Sequence, residues 1–205
     1  VNEHVLIPRQ DTEILVEEVL KELHDGMRVL DMCTGSGCIL LSLLHYSNDC
    51  EGLGVDLSAE ALEVAGRNVL KVLTPEKAEH AHFLQSDLFE KVEGKFEIIV
   101  SNPPYIASAE VEKLMPEVRD HEPRMALDGT EDGFYRRIIE EAGKHLVSSG
   151  MLFFEIGYDQ GQAVSELMRT EGYCDVQVVQ DYAGLDRVVF GTYVTVQPAP
   201  FAKSR

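Results

Sequence analysis

The chain contains no tryptophan, only four cysteines and half as many basic as acidic residues: 18 Lys and Arg against 36 Asp and Glu, a formal net charge of −18 over 205 residues. It has no apolar run near the ~18 residues that a bilayer span needs, and no basic-then-apolar leader at its start. Each scarcity excludes something. A surface this acidic repels phosphate backbones and anionic lipid, so stable binding to nucleic acid or to a membrane is disfavoured. Cys33, Cys38, Cys50 and Cys174 form no C-x-x-C pair, which removes the common zinc spacing and leaves reduced thiols of a cytoplasmic protein as the expectation. The seven histidines form no H-E-x-x-H. His80 and His82 could share a strand face, but two ligands do not make a metal site, and none is expected. The initiator Met is also missing: the chain opens Val1-Asn2-Glu3-His4 and reads as a piece or a trimmed form of a longer protein. What remains is ordinary. A hydrophobic fraction of 44% and a charged fraction of 26% are those of a folded globular domain, and the length suits one.

Helix-like and strand-like segments alternate along the chain. Ile14, Leu15, Val19, Leu20 and Leu23 recur near a 3.6 period and predict an amphipathic helix over 12–23. Met27–Met32 reads as a short strand, 37–46 (GCILLSLLHY) as a buried helix and 52–56 (GLGVD) as a second strand. Ser58 is a natural N-cap for a helix over 59–73 that Pro75 helps close. Strands are expected at 81–85 and 96–101, followed by an irregular stretch, 102–129, with four prolines. A helix over 133–146, a strand over 150–156, a helix over 160–170 and two β-rich runs, 174–180 and 187–193, complete the pattern. The last two suit a hairpin turning at 181–186. Such alternation predicts an α/β fold: a doubly wound, mostly parallel seven-stranded sheet with one antiparallel strand near its edge. In such sheets ligands sit at the carboxyl ends of the strands.

Four strand ends carry unusual residues. Asp31-Met-Cys-Thr-Gly-Ser-Gly37 runs from a strand into a helix, and its small residues Cys33, Thr34, Gly35, Ser36 and Gly37 let a ligand approach the backbone. It is neither G-x-G-x-x-G nor a P-loop, so phosphate cradling is poorly supported. Asp56, closing the second strand, is placed to bind ribose hydroxyls. A glycine turn with this acid serves NAD or S-adenosylmethionine equally well, and a tight structural turn is the plain alternative. Asp87, after the third strand, could bind an adenine amino group or simply cap a turn. The fourth end reads Ser101-Asn-Pro-Pro-Tyr-Ile106. Two prolines remove backbone donors and stiffen the chain. Asn102 offers a carbonyl and Tyr105 a flat face, so the segment can hold a planar –NH2 group.

Asn-Pro-Pro-Tyr after an Asp-x-Cys-Thr-Gly-Ser-Gly loop resembles the class I methyltransferases that modify amino nitrogens. Ile7-Pro-Arg-Gln-Asp-Thr-Glu13, Glu122-Pro-Arg-Met-Ala-Leu127 with Asp132-Gly133, Glu155-Ile-Gly157 and Asp181-Tyr-Ala-Gly-Leu-Asp-Arg187 narrow this. Together they resemble the HemK/PrmC family, which methylates the glutamine of the Gly-Gly-Gln motif in peptide-chain release factors. Three positions depart from the family pattern: Gln10 stands for a proline, Cys33 for a glycine, and Leu88 for an aromatic.

The resemblance implies a Rossmann-like class I fold and S-adenosylmethionine as cofactor. Cys33 to Gly37 would pass under its methionine and ribose, Asp56 would bind ribose, and Asp87 with Leu88 would border adenine. Asn102 and the Pro103 carbonyl would accept the substrate's amide hydrogens, with Pro104 and Tyr105 packed around them. Arg9 and Thr12 would lie near the methionine end, or serve only as a surface ion pair and a helix cap. Glu155 is left unassigned. A catalytic domain is expected over 1–194 and a loose tail over 195–205. The family's N-terminal helical recognition domain would precede this chain. Release factors are the implied partners. Competing readings are a methyltransferase for a ribosomal-protein glutamine or for a nucleobase amino group, which −18 disfavours, a non-catalytic cofactor-binding module, and an NAD oxidoreductase, for which no Tyr-x-x-x-Lys is present.

Overall fold

The computed structural model describes residues 1–106, 111–113, 115–119, 122–127, 129 and 133–194. The tail expected at 195–205 and Asp132 of the Asp-Gly pair lie outside them. Among the described residues, seven strands form one sheet: β1 (Arg28–Met32), β2 (Glu51–Asp56), β3 (Ala81–Gln85), β4 (Phe96–Ser101), β5 (Leu146–Glu155), β6 (Tyr173–Gln180) and β7 (Asp186–Tyr193). Their order is β3-β2-β1-β4-β5-β7-β6. Strands β1 to β5 pair in parallel, and β7 runs antiparallel to both of its neighbours. This is the doubly wound sheet with one reversed strand that the alternation predicts.

The helices are α1 (Thr12–Glu22), α2 (Cys38–Tyr46), α3 (Ala59–Val72), α7 (Phe134–Ala142) and α8 (Gly161–Thr170), with single turns α4 (Pro75–Ala78), α5 (Pro116–Arg119) and α6 (Arg124–Leu127). Side chains alternate across the strands, so the sheet separates two apolar layers. On one face Val29, Ile98, Val100 and Phe153 meet Leu15 and Val19 of α1 and the leucines of α2. On the other, Leu30, Ile99, Leu152 and Phe154 meet Ile138 and Ile139 of α7 and Met168 of α8. Helix α2 is apolar nearly all round because it is wedged between α1, α3 and the sheet.

Two boundaries differ from the periodicity reading. Helix α7 stops at Ala142, and Leu146 already belongs to β5, paired with Phe96 and 1% exposed. Strand pairing there outweighs a helical pattern that continues in sequence. Helix α3 ends at Val72, with Leu73 extended, before Pro75 is reached; Pro75 instead opens α4, where its missing N–H has no partner to lose. Ser58 caps α3 as expected, its hydroxyl accepting from the Ala61 amide at 3.1 Å.

The chain moves outward from β1 through β2 to β3, then returns to place β4 on the other side of β1. That reversal opens a crevice at the carboxyl ends of β1 and β4. The N-terminal segment reaches its rim because Val5 packs on Ala61 and Val64 of α3.

Candidate active site

The crevice is a cleft at the ends of β1 to β4, where ligands of doubly wound sheets bind. Its floor is the loop after β1. There Gly37 takes φ +78°, and an added Cβ would sit 3.1 Å from the Cβ of Ala65, so both backbone and packing demand glycine. Cys33 also has positive φ. Thr34 bridges inward: its amide donates to the Val55 carbonyl at 2.9 Å and its hydroxyl to Asp31 Oδ2 at 2.6 Å. Asp31 is fully buried, and burial pushes its carboxyl pKa up to about 7. Burial likewise pushes the Cys33 thiol up, with the charges of Asp56 and Asp31 adding to it, so this thiol is no nucleophile.

Asp56 faces the loop. One carboxylate oxygen accepts from the Gly35 amide at 2.9 Å and the other from Ser58 at 3.0 Å. Each oxygen keeps a lone pair for a ligand hydroxyl. Burial raises the pKa of this group as well. Asp87 and Leu88 form the next wall, in a turn where Leu88 takes φ +45°. Asp87 Oδ1 accepts from Arg137 of α7 at 2.8 Å. Among the described lining residues Arg9 is the one permanent cation, and it is committed to the buried Glu122. The open wall therefore carries acids, which suits a ligand with positive charge.

After β4, the Ser101 hydroxyl donates to the Met32 carbonyl at 2.7 Å and ties the ends of β1 and β4 together. Asn102 and Pro104 line the cleft, whereas Pro103 is buried beneath it and Tyr105 lies outside the lining. Burial, reinforced by the charge of Glu155, pushes the Tyr105 phenol up to about 12, so it is a neutral hydroxyl. The segment carrying α6 lies across this motif. Ile106 donates to Leu127 and accepts from Gly129, both at 3.0 Å, and a Cβ at Gly129 would collide with the Pro104 carbonyl. Of the residues singled out in the sequence, Cys33, Thr34, Gly35, Ser36, Asp56, Asp87, Leu88, Asn102 and Pro104 thus border one cleft, joined by Arg9 and Thr12. Gly37, Pro103 and Tyr105 stand behind it.

Glu155 and Gln160 went unassigned in the sequence. Glu155 ends β5 and is 2% exposed, and its Oε2 has no hydrogen-bond partner among the described residues. Burial raises its pKa, opposed by nearby Thr12, by the charge of Arg187 and by Asn102. Gln160 accepts from the Gly157 amide at 2.9 Å and donates to the Tyr105 carbonyl at 3.0 Å. The Tyr135 hydroxyl stands 3.0 Å from its Oε1. The signal for Glu155 was Glu155-Ile-Gly157, whose geometry only the β4–β5 pairing reveals. Arg187 closes the outside of this corner, held by Asp181 at 3.0 Å and donating to the Ile156 carbonyl at 3.2 Å.

The family model described as a methyltransferase small domain matches residues 9–118. The release factor glutamine methyltransferase of Thermodesulfovibrio yellowstonii is 44% identical over 192 residues, covering 90% of this chain and 67% of the relative. That of Clostridium acetobutylicum is 45% identical over 195 residues, covering 92% and 68%. The crystal structure of a release factor-specific protein-(glutamine-N5) methyltransferase from Alicyclobacillus acidocaldarius superposes with a TM-score of 0.53 at 29% identity, covering 92% of this chain and 94% of that one.

Proposed function

The chain belongs to the release factor glutamine methyltransferase family, and we propose that it transfers a methyl group from S-adenosylmethionine to the amide nitrogen (N5) of the glutamine in the Gly-Gly-Gln motif of a peptide-chain release factor. The observation that carries this reading is Asn102 beside Pro104 in the cleft that the loop 33–37 and Asp56 also line. The residues fit the cofactor. The loop offers an open backbone at Gly35, Asp56 retains acceptor capacity for a ribose diol, and acids rather than cations face the space. When bound, the cofactor supplies a methyl group on a sulfonium, a strong electrophile that needs no metal.

The protein's task is then the weak nucleophile. A carboxamide nitrogen delocalises its lone pair into the carbonyl. In this proposal Asn102 Oδ1 and the Pro103 carbonyl each accept one amide hydrogen, fixing the direction of the nitrogen and polarising both N–H bonds. The Pro104 ring packs on the amide plane, and Tyr105 supports the motif from behind. Positioning of this kind supplies much of a transfer barrier. No side chain is assigned as a general base; the sulfonium is discharged to a neutral thioether, and the one amide proton displaced by the methyl group leaves to solvent water. The setting proposed for this work is the cytoplasm, where release factors act.

The test is transfer of labelled methyl from S-adenosylmethionine to a candidate release factor, followed by peptide mass analysis. Label on the Gly-Gly-Gln glutamine is expected. Label on DNA, RNA or a ribosomal protein instead would overturn the reading. Asn102→Ala is expected to retain S-adenosylhomocysteine binding but to lower transfer at least ~10²-fold.

A further inference from the structure

We propose that the segment leaving β5 is the rear half of the amide grip: Glu155 orients the Asn102 side chain and Gln160 fixes the Tyr105 backbone, both acting as positioning residues. The inference rests on the role given above to Asn102.

Three independent features lead to it. The first is register. Ser101 pairs with Phe154 in the parallel β4–β5 ladder, so the next residues, Asn102 and Glu155, stand abreast where the two chains leave the sheet. The second is parity. Ile98 and Val100 share the α1 face with Phe153, and side chains two residues apart share a face. Asn102 and Glu155 therefore project to the same side, the side of α1, whose first residue, the buried Thr12, lines the same cleft as Asn102. The third is hydrogen-bond chemistry. A carboxylate is acceptor-only, so the group that Asn102 turns toward Glu155 in this proposal is its NH2, in keeping with the downward pull that Thr12 and Asn102 exert on the Glu155 pKa. The Asn102 carbonyl is then left facing the cleft, in the sense needed to accept a substrate N–H. Without such a partner the amide would be free to flip and to present donors to a substrate that is itself a donor.

Gln160 works at the other end of the motif. Its amide sense is set by its neighbours: Oε1 must accept from the Gly157 N–H at 2.9 Å, which leaves Nε2 to donate to the Tyr105 carbonyl at 3.0 Å. Tyr135 supports the same oxygen from α7. The four-residue motif is thus clamped at its first and last residues by one short turn, with two prolines stiffening the span between.

The experiment uses Glu155→Gln and Gln160→Glu. The first replaces the acceptor-only group with one that can present either sense. The second keeps the acceptor for Gly157 and loses the donor to Tyr105. Expected for both is a kcat lowered at least ~10-fold, since misplacement by a fraction of an ångström is costly, with the KM for release factor and the Kd for S-adenosylhomocysteine within about twofold. In Glu155→Gln the side-chain amide resonances of Asn102, read by NMR without cofactor, should shift and exchange faster with solvent. Wild-type kcat in both variants, or losses of kcat that merely follow losses of cofactor affinity and melting temperature, would overturn the proposal. Because Asn102→Ala is assayed alongside, the two failures separate: full activity there removes the Asn102 reading itself. Loss there with neither effect in the Glu155 and Gln160 variants removes only this inference.

Discussion

At the scale of single residues the cleft is held by a few buried acids. Asp31 has the clearest thermodynamic consequence. Its folded pKa, about 7, lies above the ordinary 3.8 because burial penalises the charge. Between those values the folded protein holds a proton that the unfolded chain has released, so this group's contribution to stability falls as pH rises from about 4 to 7 and is level above. Relative to wild type, Asp31→Asn should therefore gain stability across that window, by on the order of a few kcal/mol, in urea unfolding at pH 4.5 and pH 7.5. An equal difference at both pH values would show that Asp31 does not titrate as described. Asp56 gives a second prediction. Asp56→Ala removes both acceptors proposed for the ribose and leaves the Gly35 amide without its partner, so the Kd for S-adenosylhomocysteine should rise at least ~10-fold by calorimetry. Asp56, Asp87 and Asn102 were legible in the sequence because each ends or closely follows a strand in a pattern whose chemistry is local. Glu155 was not. Nothing near it in the chain says that β5 lies beside β4, and its partner belongs to another strand.

At the scale of elements, apolar runs and glycine turns marked the strand-to-helix passages, and α2 could be read as buried from its composition alone. The misread boundaries share one cause. The helical period runs past Ala142, yet Leu146 is claimed by Phe96 across the ladder, a partner invisible to any local pattern. Pro75 looked like a stop and proved to be a start. The β1–α2 turn offers a test. Gly37→Ala must place a side chain at φ +78° and 3.1 Å from Ala65. A loss of about 1–3 kcal/mol is expected, with weaker S-adenosylhomocysteine binding, by chemical denaturation and calorimetry. Unchanged stability would mean that the turn relaxes.

At the scale of the whole molecule, the charge of −18 acts on the compact state through self-repulsion. Raising NaCl from 10 to 300 mM shortens the Debye length from about 30 Å to below 8 Å. The melting temperature should therefore rise with salt; a fall would show that screened ion pairs such as Arg9–Glu122 outweigh the net repulsion. A mostly parallel sheet with one reversed strand was legible at this scale because alternating strands and helices leave few alternatives; the order of its strands was not. The covering of the Pro-Pro motif by the segment ending at Gly129 was not, since it depends on a contact between two irregular stretches.

The hydroxyl bridge from Ser101 to Met32 stands where two territories of the chain meet. In the proposed reading the loop after β1, Asp56, Asp87 and Leu88 border the methyl donor, and the segment from Asn102 onward seats the acceptor. This 2.7 Å bond extends the β1–β4 pairing to the point where the halves part, so their errors should be separable. Substitutions on the early side should register as cofactor affinity and those on the late side as turnover. Ser101→Ala alone should leave each half competent yet slightly misaligned, lowering kcat several-fold at unchanged Kd.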